Sequence, residues 1–373
     1  MLTKEKVKSF LVNQAVPILF LIIVAVGAPL SGFSLQHLTQ EMTYRLARDS
    51  FVVLSLLVPI MAGMGLNFGI VLGSMAGQIG LIFITDWGIR GIPGLFIAAV
   101  LGTPIAILLG FMCGSILNKA RGKEMVTSYI LGFFVNGLYQ FFGLFMLGPI
   151  IPITKPSMLI SRGYGVRNTV DLLGVRGAID KLIDLKIGGV SIPVATFLLI
   201  AAFCFFIVWI RKTKLGQDIR AAGQDYELAR LSGIAVDRTR IISIIISTVL
   251  ACYGQIILLQ NLGTVNTYSS HEMTGVFAIA ALLVGGATVA KASLMNVFVG
   301  VLLFHMMFVI SPMAGKRLIG SAQLGEYFRV FVSYGVICIA LIFHAMKERA
   351  RAQKHREELM IGESSLNHGG EAR

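Results

Sequence analysis

Hydrophobic positions in this chain are grouped into long windows without Asp, Glu, Lys or Arg, and short charged segments separate these windows. The uncharged windows cover residues 11–40, 50–85, 92–118, 125–154, 191–210, 241–270, 292–315 and 330–346. Each is long enough, or nearly so, for an apolar helix of roughly 20 residues to cross the hydrocarbon core of a membrane. The pattern therefore predicts an all-α fold, a polytopic membrane helix bundle.

Two hydrophobic segments are too long for one crossing and predict broken helices. Residues 50–84 would extend roughly 52 Å as one helix, against a hydrocarbon thickness of about 30 Å. The predicted breaks fall at Gly63, Gly65 and Asn67 in this segment, and at Gly285, Gly286 and Lys291 in the segment 276–311. After the first break, Gly69, Gly73 and Gly77 form a four-residue ladder that predicts close approach of another helix.

The spans and their flanking charges predict about ten crossings with both termini in the cytoplasm. Basic residues cluster before the first span, at 119–123, at 211–214 and after the last span, which places these regions inside by the positive-inside rule. The predicted organisation is a cytoplasmic N-terminus (1–10), a first transmembrane half (11–147), an extracellular or periplasmic loop (148–190), a second transmembrane half (191–345) and a cytoplasmic tail (346–373).

The loop 148–190 divides the crossings into five before it and five after it, with opposite starting directions. This is the pattern expected of a 5+5 inverted repeat, although the sequence shows no clear residue-level repeat. Within the loop, residues 169–187 have apolar positions at helical spacing. They predict either an amphipathic helix along the membrane surface or a packed cap over the bundle.

Composition supports the membrane assignment and excludes several classes of protein. The 373 residues are 55% hydrophobic and only 14% charged, with a mean hydropathy of +0.80, whereas about a quarter of the residues in a soluble domain are charged. The net charge of +13 lies at the ends of spans and predicts orientation rather than nucleic-acid binding. All four cysteines fall inside spans, so the sequence predicts no disulfide framework and no metal site.

A charged segment at 212–240 lies between two uncharged spans and predicts a docking surface on the cytoplasmic side. A short charged helix can act as a rigid lever. Ser232 and Gly233 would end this helix, because glycine permits the left-handed turn with which helices terminate. Arg220 and Arg230 can pair with acidic groups on a partner. An ordinary solvated loop is the alternative interpretation of this segment.

The same segment resembles the cytoplasmic coupling motif of permease subunits from bacterial ABC importers of ribose, nucleosides and branched-chain amino acids. The resemblance is carried by Gly216, Arg220, Ala221, Gly223, Ala229, Ser232, Gly233 and Ile234. Residues 122–131 and 66–73 are similar to further stretches of the simple-sugar and nucleoside permeases. In the second stretch the family's acidic position holds Val71 or Leu72, which departs from the usual pattern.

This resemblance implies partners and a division of labour. ABC ATPase subunits would bind residues 212–240. A second permease, identical or paralogous, would complete the pathway. A solute-binding protein or lipoprotein would deliver the solute from outside. The residues predicted to couple to the ATPase are Gly216, Arg220, Ala221, Gly223, Glu227, Arg230, Ser232 and Gly233. The resemblance places the chain in the bacterial cytoplasmic membrane, in contact with lipid.

The chain itself lacks a nucleotide-binding signature. Its two Gly-Lys pairs, at 122–123 and 315–316, are followed by Glu and Arg, whereas the Walker pattern requires Ser or Thr there. The sequence therefore predicts a non-catalytic subunit without a cofactor of its own, with ATP and Mg²⁺ bound by the partner ATPase.

Polar side chains inside the spans are candidates for a substrate pathway, because such groups are costly unless they face the bundle interior or a wet cavity. Interhelical hydrogen bonding is the structural alternative for each of them. The candidates are Asn67, Ser74, Gln78, Asn136, Tyr139, Gln140, Gln255, Asn261 and His305. Charged groups are predicted to be absent from the spans, and four aromatic residues lie near the candidates in the sequence: Phe68, Phe133, Phe134 and Phe142. Together these polar and aromatic residues favour a neutral, polyhydroxylated or base-bearing solute.

The sequence thus predicts the permease subunit of an ABC importer for a simple sugar or nucleoside. The alternative is a secondary transporter of a small neutral solute, driven by an ion gradient, in which His305 or Lys291 carries the proton. A membrane-embedded enzyme would need a cluster of His, Asp or Glu at catalytic spacing within the spans, and the sequence shows none.

Overall fold

The uncharged windows of the sequence form long helices that pack into one bundle. A computed structural model of the chain describes residues 14–161, 163–339, 342 and 346, so the predicted terminus 1–10 and nearly all of the tail 346–373 lie outside the described residues. In the first half the helices are α1 (Ala15–Ser31), α2 (Leu35–Ser55), α3 (Leu57–Met61), α4 (Ile70–Asp86), α5 (Gly91–Lys119) and α6 (Glu124–Phe141), which continues as a π-helical turn, Phe142–Met146.

The second half begins with a β-hairpin and continues as helices. Two short strand pairs are present: β1 (Thr169–Asp171) pairs antiparallel with β4 (Thr264–Asn266), and β2 (Asp184–Ile187) pairs with β3 (Val190–Pro193). The helices are α7 (Val194–Lys212), α8 (Lys214–Gln224), α9 (Tyr226–Leu231), α10 (Val236–Leu262), α11 (Ser270–Val284), α12 (Leu294–Ile319) and α13, residues 322–339.

The helices have the lengths and composition of a polytopic membrane protein. Among the described residues, five segments are long and apolar enough to cross a membrane alone, namely α5, α6 with its π turn, α7, α10 and α12, and α1, α4 and α11 are shorter apolar helices. With α2–α3 counted as one span and α13 as another, the described chain has ten helical crossings. We call the end of the bundle that carries α8 and α9 the α8–α9 face, and the end that carries residues 147–193 the loop face.

Both predicted helix breaks are present. The first long segment is interrupted between Met61 and Ile70, and the second between Val284 and Leu294. Gly63 and Gly65 have φ values of 71° and 70°, a left-handed conformation that favours glycine, so the chain cannot continue as a helix there. The two breaks leave α4 and α11 as short helices whose ends lie inside the protein.

The glycine ladder brings α4 against α10. A Cβ atom at Gly73 would lie 2.2 Å from the carbonyl oxygen of Thr248, and one at Gly77 would lie 2.4 Å from that of Cys252. These distances are too short for any side chain, so the two helix backbones are in direct contact. Small residues permit such contact between membrane helices, where van der Waals packing and hydrogen bonds drive association. The predicted close approach is confirmed.

The loop face is covered by a packed cap. The predicted amphipathic helix at 169–187 is wrong, because these residues form β1, a series of turns and β2. Val170, Leu172 and Val175 are buried against α4, α5 and α10, so their apolar spacing reflects packing onto the bundle rather than a helical face on the membrane. Asp180 is also buried and accepts hydrogen bonds from Thr196, Gln260 and Asn261, which fix the cap to α7 and α10.

Candidate functional site

Three of the predicted pathway residues meet in one buried polar cluster between α4, α6 and α11. Gln78 of α4 donates through Nε2 to the Tyr139 hydroxyl at 3.1 Å and to the carbonyl of Thr267 at 2.6 Å. Its Oε1 faces Nδ1 of His271 at 3.3 Å, and Nε2 of His271 faces Oδ1 of Asn136 at 2.9 Å. His271 lies in the first turn of α11, within reach of both neighbouring helices.

The cluster presents an unusual hydrogen-bonding arrangement at His271. Gln78 and Asn136 both turn their amide oxygens toward the imidazole, since their amide nitrogens donate elsewhere. A neutral imidazole donates through one nitrogen only, and we assign that proton to Nε2 because its contact is the shorter. Nδ1 of His271 and Oε1 of Gln78 are then two acceptors that face each other without a donor between them among the described residues.

Glu272 extends the cluster toward an adjoining cavity. Its Oε1 accepts a hydrogen bond from Nδ2 of Asn136, and its side chain lines a cavity of about 140 Å³. The rest of that cavity is aromatic and apolar: its walls include Phe68, Tyr129, Gly132, Phe133 and Tyr334. Aromatic faces next to a carboxylate and amides can hold a small hydroxylated solute by stacking and hydrogen bonding.

The other predicted pathway residues lie outside this cluster. Asn67 is buried in the first break, where its Oδ1 accepts from the Gly69 amide at 3.0 Å. Ser74 is buried one helical turn before Gln78, and Gln255 is buried on α10; Ser74 Oγ and both amide atoms of Gln255 have no partner among the described residues. Gln140 is half-buried at the end of α6, away from the contacts of Asn136 and Tyr139.

Asn261 and His305 line or adjoin a second cavity, of about 450 Å³, between α2, α10, α11 and α12. Asn261 accepts from Nη1 of Arg48 at 3.0 Å, and Nε2 of His305 lies 3.5 Å from Oδ2 of Asp49. The prediction that charged groups are absent from the spans is therefore wrong. Arg45, Arg48 and Asp49 precede the uncharged window at 50–85, but α2 begins at Leu35 and carries them into the bundle.

The predicted coupling residues divide into a packed set on α8 and an exposed set on and after α9. Gly216 and Gly223 pack closely: a Cβ at Gly216 would lie 2.0 Å from the Ile210 carbonyl, and one at Gly223 would lie 2.2 Å from the Met61 carbonyl. The exposed coupling residues are Arg220 of α8 and Glu227, Arg230, Ser232 and Gly233, whereas Ala221 is half-buried. Gly233 ends the segment with φ of 81°, as the sequence predicts.

Two exposed leucines complete the surface of α9. Leu228 is 63% exposed and Leu231 is 84% exposed, although both are large apolar side chains on the side of the bundle that carries the charged segment. Isolated exposed leucines are common, but two on one six-residue helix beside Glu227 and Arg230 form an apolar contact surface with a polar rim. We call these four residues the α9 surface.

At the α8–α9 face, ion pairs connect the start of α10 to the start of α6 and to the residues that precede α6. The buried Arg240 of α10 pairs with Glu124 at the start of α6. Arg121 pairs with Asp237 at 2.7 Å, and its guanidinium carbon lies 3.9 Å from the centre of the Tyr226 ring. Together with the first break, these groups surround a cavity of about 540 Å³ that opens on the α8–α9 face.

Sequence reasoning missed five charged or titratable residues that the structure places at the cavities. His271 and Glu272 follow the uncharged window at 241–270 directly, and Arg45, Arg48 and Asp49 precede the one at 50–85. Their position one to five residues outside an uncharged window is the signal that identifies them, because the helices extend beyond the windows and carry these flanking residues into the bundle. Within the described residues, no group of three or more His, Cys, Asp or Glu side chains is arranged to hold a metal ion.

Comparison with known proteins gives a family match over most of the chain. A family described as branched-chain amino acid transport system / permease component matches residues 50–341. Relatives include the ribose import permease protein RbsC of Escherichia coli K12, which is 24% identical over 91% of this chain and 96% of the relative. The xylose transport system permease protein XylH of Haemophilus influenzae is 27% identical over 64% of this chain and 63% of the relative.

A third relative is the probable ABC transporter permease protein YphD of Escherichia coli K12, 27% identical over 44% of this chain. The chain spans about half the length of YphD, at 48%, and less than two thirds of XylH. No solved structure matches the chain significantly.

Proposed function

Because the chain belongs to the family described as branched-chain amino acid transport system / permease component, we propose that it is the transmembrane permease subunit of an ABC importer. In this proposal the chain forms the translocation pathway for a simple sugar or nucleoside and performs no bond chemistry. Two ABC ATPase subunits bind ATP and Mg²⁺ and dock on residues 212–240. A second permease, identical or paralogous, completes the pathway.

The observation that carries this proposal is the direct backbone contact between α8 and the first helix break. Gly223 packs on Met61 and Gly63, so a movement of α8 acts on the end of α3 without an intervening side chain. The break in turn contacts α6, since the amide of Phe68 donates to Ser128 Oγ at 3.2 Å. Because α6 also carries Asn136 and Tyr139, α8 is connected to the polar cluster through the first break and α6.

The polar cluster supports a hydroxylated solute. The carboxylate of Glu272 lines the adjoining cavity and accepts hydrogen bonds from hydroxyls of the solute, while Asn136 and His271 hold that carboxylate end of the cluster in place. Aromatic side chains on the cavity wall stack against a ring. The relatives named for ribose and xylose transport agree with a simple sugar as the solute.

The predicted orientation completes the proposal. The positive-inside pattern places the α8–α9 face, both termini and the ATPase in the cytoplasm of a bacterium, and the cap on the loop face outside. A solute-binding protein or lipoprotein then docks on the cap. The domain limits predicted from the sequence remain part of this proposal.

One observation supports the alternative, which is an ion-driven secondary transporter. Asp49 is a carboxylate inside the bundle next to His305, and such pairs occur on proton pathways. The family of the chain favours the importer, and the dependence of transport on ATP or on a proton gradient decides between the two.

The test compares the wild-type chain with two variants after purification from the native membrane. Leu231→Asp places a charge in the α9 surface, and we expect the ATPase subunit to be lost during purification. Gly223→Trp leaves the α9 surface intact but separates α8 from the break. We expect this variant to retain the ATPase while solute no longer stimulates ATP hydrolysis.

The matched control is Leu173→Asp, because Leu173 is also highly exposed but lies in the cap on the loop face. This control should retain the ATPase during purification. The proposal fails if the wild-type chain purifies without an ATPase and transports solute in proteoliposomes on a proton or sodium gradient alone.

A further inference from the structure

The cavity between α2, α10, α11 and α12 is separate from the polar cluster, because α11 lies between them. Residues 270, 273, 274, 277 and 278 line the cavity from one face of α11. The positions that meet only the cluster and its adjoining cavity, 271, 272, 275 and 276, lie on the other face, and Met273 at the edge lines both cavities. With a period of 3.6 residues, one helix can thus serve as a wall between two compartments.

The cavity combines a polar entrance with an apolar interior. Three exposed residues of β1 and β4 and the half-buried Ser269 before α11 line its end at the loop face; the exposed residues are Thr169, Thr264 and Asn266. Its walls further inside include Val52, Leu258, Phe277 and Phe308. A water-soluble molecule can therefore enter from the loop face and bury an apolar portion, and the volume of about 450 Å³ lies within the usual range for small-molecule sites.

Two arginines supply positive charge to this cavity. Arg45 uses only Nε in its contact with Glu41, at 3.4 Å, so its two terminal nitrogens have no partner among the described residues. Arg48 contacts Asp49 and Asn261. Asp49 pairs with Arg48, whereas Glu41 lies outside the cavity lining and engages Arg45 through Nε alone, so the terminal nitrogens of Arg45 are the cationic groups left for a ligand. A planar guanidinium with free terminal nitrogens is suited to a carboxylate or phosphate.

His305 provides a second, independent indication of a ligand. Its side chain is only 6% exposed, it lines the cavity, and its Nδ1 has no partner among the described residues. Because Nε2 faces the carboxylate of Asp49, we assign the proton to Nε2, which leaves Nδ1 as an acceptor. A buried acceptor without a donor is costly, and a ligand hydroxyl would satisfy it.

We propose that this cavity binds a small hydroxylated organic anion, with Arg45 and Arg48 holding its carboxylate or phosphate, His305 accepting its hydroxyl and the apolar walls covering its body. The site is distinct from the translocation pathway because α11 separates the two. Its occupant contacts the back of the helix that carries His271 and Glu272 and acts as an effector rather than as cargo. The proposal does not depend on which solute the chain transports.

The test measures binding of three related probes to the full chain in nanodiscs of neutral phosphatidylcholine. Mandelate carries a carboxylate, a hydroxyl and an apolar ring, phenylacetate lacks the hydroxyl, and mandelamide lacks the charge. We expect mandelate to bind, phenylacetate to bind about fivefold more weakly through loss of one hydrogen bond, and mandelamide to bind about 30-fold more weakly or not at all.

Two variants identify the site. Arg45→Gln should weaken mandelate binding about 30-fold through loss of a charged hydrogen-bonding partner. The control Arg238→Gln removes an exposed arginine of α10 and should bind like the wild type. Ala278→Leu fills the cavity without changing any charge and should abolish binding, so it locates the site even if Arg45→Gln does not fold.

The same binding measurement in nanodiscs that contain phosphatidylglycerol shows whether the site is filled by a lipid headgroup or by a free anion. If this lipid competes with mandelate in the wild type, and binds the wild type but not Ala278→Leu, the same anion site is filled by a lipid headgroup. The proposal is overturned if the wild type binds neither mandelate nor the anionic lipid, or if binding persists unchanged in both Arg45→Gln and Ala278→Leu.

Discussion

Asn136 illustrates how a polar side chain acquires a role through its neighbours. The sequence identifies Gln78, Asn136 and Tyr139 as polar groups inside spans, and the cost of burying them predicts that they face the interior. Their convergence depends on His271, which stands between Gln78 and Asn136, and on Glu272. Gln140 has the same polarity and lies on the same helix, yet it makes none of these contacts because its position on α6 turns it away.

The first prediction compares Asn136 with Gln140. Asn136→Leu removes the bonds to His271 and Glu272 at nearly constant volume, and we expect uptake at subsaturating solute to fall about tenfold or more, since hydrogen bonds to charged groups contribute about 1.5–3 kcal/mol. Gln140→Leu should transport like the wild type. Uptake into proteoliposomes that contain the assembled transporter measures both, and equal losses in the two variants would contradict a role for the cluster.

Glycine positions decide how the elements pack. The breaks end the helices at Met61 and Val284, and the ladder at Gly73 and Gly77 sets the distance between α4 and α10. Both features follow from the sequence because glycine lacks a Cβ atom and removes a steric barrier to turns and to close approach. Which helix meets the ladder does not follow, since α10 lies far along the chain from α4.

The second prediction concerns this contact. Gly73→Ala places a Cβ 2.2 Å from the Thr248 carbonyl, and we expect a loss of about 2 kcal/mol or more in the free energy of unfolding, as overpacked cores typically show. Gly137→Ala on α6 is the matched control, because no atom lies within 4 Å of the added Cβ. Thermal unfolding of the purified variants in detergent measures the difference, and similar midpoints would argue against close α4–α10 contact.

The whole molecule is a bundle whose two ends carry different structures. The helices α10 and α12 are the most buried of the long apolar spans, whereas α5, α6 and α7 expose most of their surface to lipid or to a further subunit. The cap lies at one end and α8 and α9 at the other, because α7 has 19 residues and separates them by about 28 Å.

The third prediction tests the orientation of these ends. Leu173 in the cap and Leu231 on α9 are both highly exposed, at 71% and 84%. In a variant without native cysteines, a membrane-impermeant maleimide should label Leu173→Cys in cells whose outer permeability barriers are open. Leu231→Cys should be labelled only after the cytoplasmic membrane is permeabilised and the ATPase removed. The reverse labelling pattern would show that the orientation in the membrane is opposite to the predicted one. Labelling of both cysteine variants in intact cells would contradict the prediction that α7 crosses the membrane.

The sequence by itself determined the class of fold, the helix breaks, the glycine ladder and the turn at Gly233. These features depend on local physics: membrane spans need long uncharged segments, and glycine alone removes the Cβ that opposes a turn or a close contact. The charged segment at 212–240 was also recognisable as a candidate docking surface, because its residues are contiguous in the chain.

Only the tertiary structure decided which distant residues share a site. Arg45, Arg48 and Asp49 lie outside an uncharged window, yet α2 carries them into the bundle, where they meet His305. His271 joins the cluster because it lies in the first turn of α11 and because α4 and α6 pack beside it. Helical packing brings together groups about 60 to 260 residues apart, and no local pattern in the chain encodes that pairing.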